Sequence, residues 1–214
     1  MNDTSNQIVV KPWGREYLAY RNVEVAIWVL EIERDAATSL HCHPRKNTAL
    51  IVLQGEVELS LIRGAPKKFT GLDKINIFRG RFHRTRALST GVVLLEVEAP
   101  DDKRDLVRLE DGYGRAGKPI EEASVPRDES CLQIENKHLT VQQFAGCGLY
   151  IIGASSSKQL LDYDERVIFV TLSGGLTHGL LPPGDAVDGA TMERFARAFE
   201  PLPNTTFLQI WRAK

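Results

Sequence analysis

Short runs in which apolar and polar residues take turns dominate the first hundred residues of this chain. From Glu56 to Leu61 the alternation is strict, with Val57, Leu59 and Leu61 on one face and Glu56, Glu58 and Ser60 on the other. A period of two is that of a half-buried strand. Four more segments read as strands: Val23 to Ile32, the unbroken apolar run Ala49 to Leu53, Lys74 to Phe78, and Val92 to Val97. Pro44, Gly55, Gly64-Ala65-Pro66, Gly71, Gly80 and Ser89-Thr90-Gly91 punctuate them as turns. Short strands at a spacing of roughly 8–12 residues predict a sandwich or small barrel.

The texture changes after Pro100. Residues 100–126 are rich in charge, Gly and Pro and read as a linker or a cover segment. Strand-like runs then resume at Leu139 to Phe144, Leu149 to Gly153, Val167 to Leu172 and Thr206 to Trp211. Met192, Phe195 and Phe199 fall at i, i+3 and i+7, so one short helix is expected near 191–200. Composition fits this picture: 43% of the 214 residues are hydrophobic and 26% charged, as in an ordinary globular protein. Lys and Arg number 27 against 28 Asp and Glu, so no global field recruits nucleic acid or an anionic membrane. Cys42, Cys131 and Cys147 are few and odd in number, which suits a reducing compartment better than a disulfide framework. With no apolar h-region at the N-terminus and no run long enough to span a bilayer, a cytoplasmic protein is expected.

The candidate chemistry lies in "SLHCHPRKNTALIVLQG", residues 39–55. On a strand, His41 and His43 project from one face about 7 Å apart, within reach of one divalent ion. A third ligand must come from another strand, and His83, which opens the run Phe82 to Ala87 after a glycine turn, is the candidate. Imidazoles suit zinc, iron, nickel, copper or manganese, so the set does not name the metal. The bland alternative is three histidines with nothing to hold. His138 and His178 have no partner pattern and read as structural or surface residues, and Cys42, between the two histidines, should face the other way into the core.

These stretches resemble the two motifs of the cupin superfamily. His41, His43 and Gly55 match the first motif; Gly71, one position early, Gly80 and His83 match the second. Within the superfamily the chain is similar to the mannose-6-phosphate isomerase type. "VKPWGREY" (10–17), the histidine motif and "VRLEDGYGR" (107–115) stand in that family's order, and the resemblance covers about residues 8–115. Two positions depart from it: the metal-binding glutamate of the first motif falls at Thr48, and the proline of the second is Phe78.

The resemblance implies an all-β fold built on a cupin, jelly-roll-like barrel. Residues 1–112 are expected to form that barrel, 113–126 a linker, and 127–214 a degenerate second barrel, making a bicupin, or else a β-rich extension. It implies one divalent ion, zinc, iron or manganese, at His41, His43 and His83. Glu96 lies where the family carries a glutamate near the cavity and would act as a general base if it faces inward; it could equally face solvent. Arg45, Lys46, Arg79, Arg81, Arg84 and Arg86 flank the motifs, and Arg45, Lys46, Arg81 and Thr48 are the expected substrate-binding set. Trp13 and Tyr17 are expected to pack rather than touch substrate. The expected ligand is a small carbohydrate-like or anionic molecule, and small cupins often pair as homodimers through an edge strand. Three functions stay open: a sugar or sugar-phosphate isomerase, an iron-dependent dioxygenase favoured by Thr48, and a non-catalytic binding module.

Overall fold

The computed structural model describes residues 6–115, 123–135 and 140–213. His138, Leu139 and part of the expected linker therefore lie outside the described residues. Eleven strands build the first half: β1 (Gln7–Lys11), β2 (Gly14–Arg21), β3 (Ala26–Ile32), β4 (Leu40–Cys42), β5 (Asn47–Gln54), β6 (Val57–Leu61), β7 (Lys67–Phe69), β8 (Lys74–Ile77), β9 (His83–Ala87), β10 (Val92–Ala99) and β11 (Val107–Glu110). The second half adds β12 (Ser124–Pro126), β13 (Gln142–Phe144), β14 (Cys147–Ala154), β15 (Ile168–Ser173), β16 (Ala186–Asp188), helix α1 (Gly189–Ala196) and β17 (Thr205–Arg212).

Two antiparallel sheets face each other to make the barrel. The larger has the order β12-β1-β2-β3-β10-β5-β8 and the smaller β11-β4-β9-β6-β7. Trp13, Leu18, Trp28, Leu30, Val57 and Leu94 meet between them as one apolar cluster. This is the cupin architecture that the two histidine motifs imply. The described residues of the second half, apart from β12, form one further sheet, β13-β14-β17-β15-β16. Its Leu149, Ile151, Val170, Leu208 and Ile210 pack on the outer face of the larger barrel sheet, against Ile27, Val29, Ile51, Leu53, Leu95 and Val97. Its other face buries Phe169 and Phe207 with Met192 and Ala196 of α1.

This layering explains the unbroken apolar runs. β5 and β10 are covered on both faces, so neither shows the alternation of β6, which lies in the smaller sheet. Val23 is 98% exposed rather than in a strand, because the Asn22 side chain accepts from the backbone N–H of Glu24 and Val25, each at 2.8 Å, and turns the chain before β3. The stretch 10–17 forms a hairpin between β1 and β2, where a Cβ on Gly14 would lie 2.0 Å from the Glu31 carbonyl oxygen. Tyr17 is fully buried and its hydroxyl accepts from the Leu132 N–H, which is packing, as expected. The helix starts at Gly189, capped by Asp188, whose carboxylate accepts from the Thr191 N–H, and Phe199 lies beyond its end. Residues 107–110 pair with β4 and 124–126 with β1, so the Gly- and Pro-rich stretch contributes strands to both barrel sheets. No helix among the described residues is long and apolar enough to cross a membrane.

Candidate metal centre

His41 lies in β4 and pairs in register with His83 at the start of β9. His43 follows β4 directly. The turn before β9 is tied back to it: the Gly80 N–H donates to the His43 carbonyl at 2.7 Å, with Gly80 at φ +75°, a conformation that favours glycine. Two distant histidine motifs thus meet at one end of the barrel. Ring nitrogens of His41, His43 and His83 lie within 4.8 Å of one another, and the ring centroids are 4.4–5.5 Å apart.

Each ring is held by its other nitrogen. Nδ1 of His41 is 2.8 Å from the Ser39 carbonyl, that of His43 is 2.6 Å from the Asp105 carbonyl, and that of His83 is 3.0 Å from the Arg81 carbonyl. A carbonyl only accepts, so all three Nδ1 atoms carry the proton and all three Nε2 atoms carry a lone pair. This is the outer-shell pattern that sets the tautomer of metal-binding histidines. Nε2 of His43 is buried without a hydrogen-bond partner. Burial holds His41 well below the ordinary imidazole range, with His83 and His43 adding to the effect. Burial and Lys46 bring His43 down to about 4, and burial lowers His83 as well. The cluster is neutral, and its donor set fits a divalent ion of the imidazole-binding metals.

The triad opens on a small cavity of about 70 Å³. Trp13, Leu30, Leu50 and Leu106 supply its apolar lining. Another part of the lining is ionic. Lys46 Nζ is 2.7 Å from Glu98 Oε1, and each side chain is 1% exposed. Lys103 Nζ lies 3.5 Å from the same Glu98 oxygen and 3.3 Å from Glu16 Oε1, to which Lys11 is also paired at 3.5 Å. Lys103 also sits 3.7 Å from the centre of the Trp28 ring. Burial alone would raise Glu16, but Lys103 and Lys11 hold it below its ordinary value. Arg108 and Arg115 also line the cavity, Arg115 with Asp111 as an ion-pair partner.

Glu96 faces inward: it is buried, lines the cavity, and burial raises its pKa against the pull of Lys103 and Lys46. Lys46 lines the cavity too. Arg45 and Arg81 do not; both are exposed, and Arg45 turns away to Asp102 at 2.7 Å and Asp105 at 3.4 Å. Thr48 is buried beside the site, outside the cavity lining, with its hydroxyl unpartnered. Cys42 is buried on the other side of its strand.

Sequence reasoning missed Lys11, Glu16, Glu98 and Lys103 as lining residues. The spacing of Glu96 and Glu98 was a usable signal, since two carboxylates two apart on a strand share a face. Asp105, in the loop from β10 to β11, was missed as well. Its carboxylate accepts from the N–H groups of Arg45 and Lys46 at 2.8 and 2.9 Å, while its carbonyl orients His43.

The fold and the inward triad together define a cupin-type barrel with a candidate metal centre. Solved structures similar to this chain include KdgF from a Halomonas species, at 18% identity over 48% of this chain and 94% of that one, with a TM-score of 0.42. An RmlC-like cupin from Shewanella frigidimarina matches at 19% identity over 48% and 91% of the two chains, TM-score 0.42. A protein with a double-stranded β-helix domain from Klebsiella pneumoniae matches at 16% identity over 45% and 79%, TM-score 0.41. No family model and no curated protein matches the chain.

Proposed function

We propose that the protein is a metal-dependent enzyme acting on a small, polar, anionic molecule, of the sugar or sugar-phosphate isomerase type. The observation that carries this reading is the locked triad: ring nitrogens of three buried histidines lie within 4.8 Å of one another, and each ring is fixed by an Nδ1–H donated to a backbone carbonyl. His41, His43 and His83 would hold zinc, manganese or iron. A bound divalent ion supplies Lewis acidity, polarising the carbonyl and hydroxyl oxygens of a ligand. Glu96, whose pKa burial raises, is suited to carry a proton between adjacent carbons. Lys46 and Lys103 offer ammonium groups to an anionic substituent, and Trp13, Leu30 and Leu50 exclude water around it.

Two measurements test the proposal. Elemental analysis should find about one equivalent of metal per chain, as one site requires, and little in a His41→Ala, His83→Ala double variant. With the metal in place, the protein should exchange the carbon-bound proton of an α-hydroxy carbonyl compound for deuterium, and Glu96→Gln should slow this by about 10²–10⁴-fold at unchanged metal content. A parent that takes up no zinc, manganese or iron overturns the proposal. A second reading, an iron-dependent dioxygenase, is favoured by Thr48, which leaves only neutral protein ligands in the triad. Oxygen consumption by the ferrous protein without deuterium exchange would select it. Metal binding with neither activity would leave a ligand-binding module.

A further inference from the structure

Three neutral imidazoles bind a dication without balancing its charge, and Thr48 occupies the position where the resemblance implies a carboxylate. The structure places a carboxylate one strand away. Glu98 of β10 stands directly opposite Thr48 of β5 in the register of the larger sheet. Side chains directly opposite in an antiparallel pair share a face, with Cβ atoms about 4.5–5.5 Å apart. Both residues therefore project into the barrel.

Glu98 is 1% exposed, and its two oxygens have different surroundings. Oε1 is held by Lys46 and, more loosely, by Lys103. Oε2 is buried with no hydrogen-bond partner, as are the Thr48 hydroxyl and Nε2 of His43. Glu98 and His43 both line the cavity, and a buried polar atom left unpartnered is costly. An ion in the cavity with its bound water would partner Oε2 of Glu98 and Nε2 of His43.

We infer that Glu98 is the acidic partner of the histidine triad: its carboxylate balances the charge of an ion held there, and Lys46 competes with that ion for the same carboxylate. The inference rests on the metal-binding reading above. Glu98 replaces the missing charge from the neighbouring strand, and Lys46 is paired with its carboxylate at 2.7 Å. The site then discriminates by charge: a divalent ion gains from Glu98 only what it takes from Lys46.

The experiment is metal affinity measured by chelator competition with zinc and with manganese, on the parent, Glu98→Gln and Lys46→Met. Glu98→Gln should weaken binding by about 10–100-fold, the usual effect of losing an outer-shell partner. Lys46→Met should tighten it, because the ion then meets an uncontested carboxylate. If the pair served structure alone, breaking it from either side would loosen the triad, and both variants would bind more weakly. Opposite shifts support the inference. Equal affinity of parent and Glu98→Gln, or weaker binding by Lys46→Met, overturns it. Should Glu98→Gln fail to fold, the direction of Lys46→Met decides alone. A parent that binds no metal overturns the metal-binding reading and this inference together, whereas parental affinity in Glu98→Gln overturns this one only.

Discussion

The cavity has two walls built by opposite strategies. One, from β4 and β9, carries three imidazoles that burial keeps neutral, each oriented by a backbone carbonyl. The other, from β1, β2, β5, β10 and the loop after it, carries the chain of charges Lys46, Glu98, Lys103, Glu16 and Lys11, each within 3.5 Å of the next. The neutral wall can be desolvated cheaply, so its orientation is the only thing the fold must fix. The ionic wall stays charged under burial only because every member has an opposite neighbour. Neutral side chains need no opposite neighbour to stay buried; buried charges do.

Breaking the ionic wall should have the larger effect on stability. Lys46→Met in the metal-free protein leaves Glu98 buried with Lys103 as its remaining partner. Removing one member of a buried pair costs about 3–5 kcal/mol, and chemical denaturation should show a loss of that size. Replacing both members, with Lys46→Met and Glu98→Leu together, should recover most of it, because an apolar pair of similar volume needs no compensation. If the double variant is as unstable as the single, charge pairing is not what holds this wall.

The two inward carboxylates Glu16 and Glu96 sharpen the contrast within that wall by responding to pH in opposite directions. Glu16 has its pKa lowered by Lys103 and Lys11, so it adds stability above the unfolded value of about 4.3, and this is lost as the pH falls through its lower folded value. Glu96 has its pKa raised by burial, so its contribution is present below about 4.3 and is lost as the pH rises through its higher folded value. At pH 7, Glu16→Gln should therefore destabilise the protein and Glu96→Gln stabilise it. Both differences should vanish in acid, below the folded values. Denaturation series at pH 7 and below 4 check the signs; the same sign for both variants would refute the assignment.

The two walls also differ in how legible they were in the sequence. The histidine wall announces itself, since His41 and His43 share a strand face and His83 follows a glycine turn. The ionic wall joins Glu16 to Lys103, Lys46 to Glu98 and Lys11 to Glu16 only through the topology, and each Lys or Glu alone reads as a solvated surface charge. Glu96 was ambiguous for a specific reason. β10 is apolar on both faces, one packed against the second-half sheet through Leu95 and Val97 and the other turned to the barrel interior through Leu94. Alternation along such a strand cannot tell inside from outside. Lys103 and Asp105 were missed because they lie in a charged loop whose composition suits a linker. In the second half the strands could be read from their β-branched and aromatic runs, but their assembly into one sheet against the barrel depends on contacts more than a hundred residues apart, such as the Asn22 side-chain amide donating to the Leu172 carbonyl at 2.9 Å.

The smallest expected effects come from the basic residues nearest the histidines in sequence. Arg81 contributes its backbone carbonyl to His83, while its side chain is exposed outside the cavity. Arg45 keeps its N–H on Asp105 whatever its side chain, and its guanidinium, 68% exposed, pairs with Asp102 and Asp105 at the surface. Exposed pairs of this kind contribute about 0–1 kcal/mol. Arg45→Ala and Arg81→Ala should therefore change stability by less than about 1 kcal/mol and leave metal affinity at the parental value. Weaker metal binding in either variant would mean that these charges act on the triad from outside the cavity. The ionic wall, and not the sequence neighbours of the histidines, would then have lost its claim to set the electrostatics of the site.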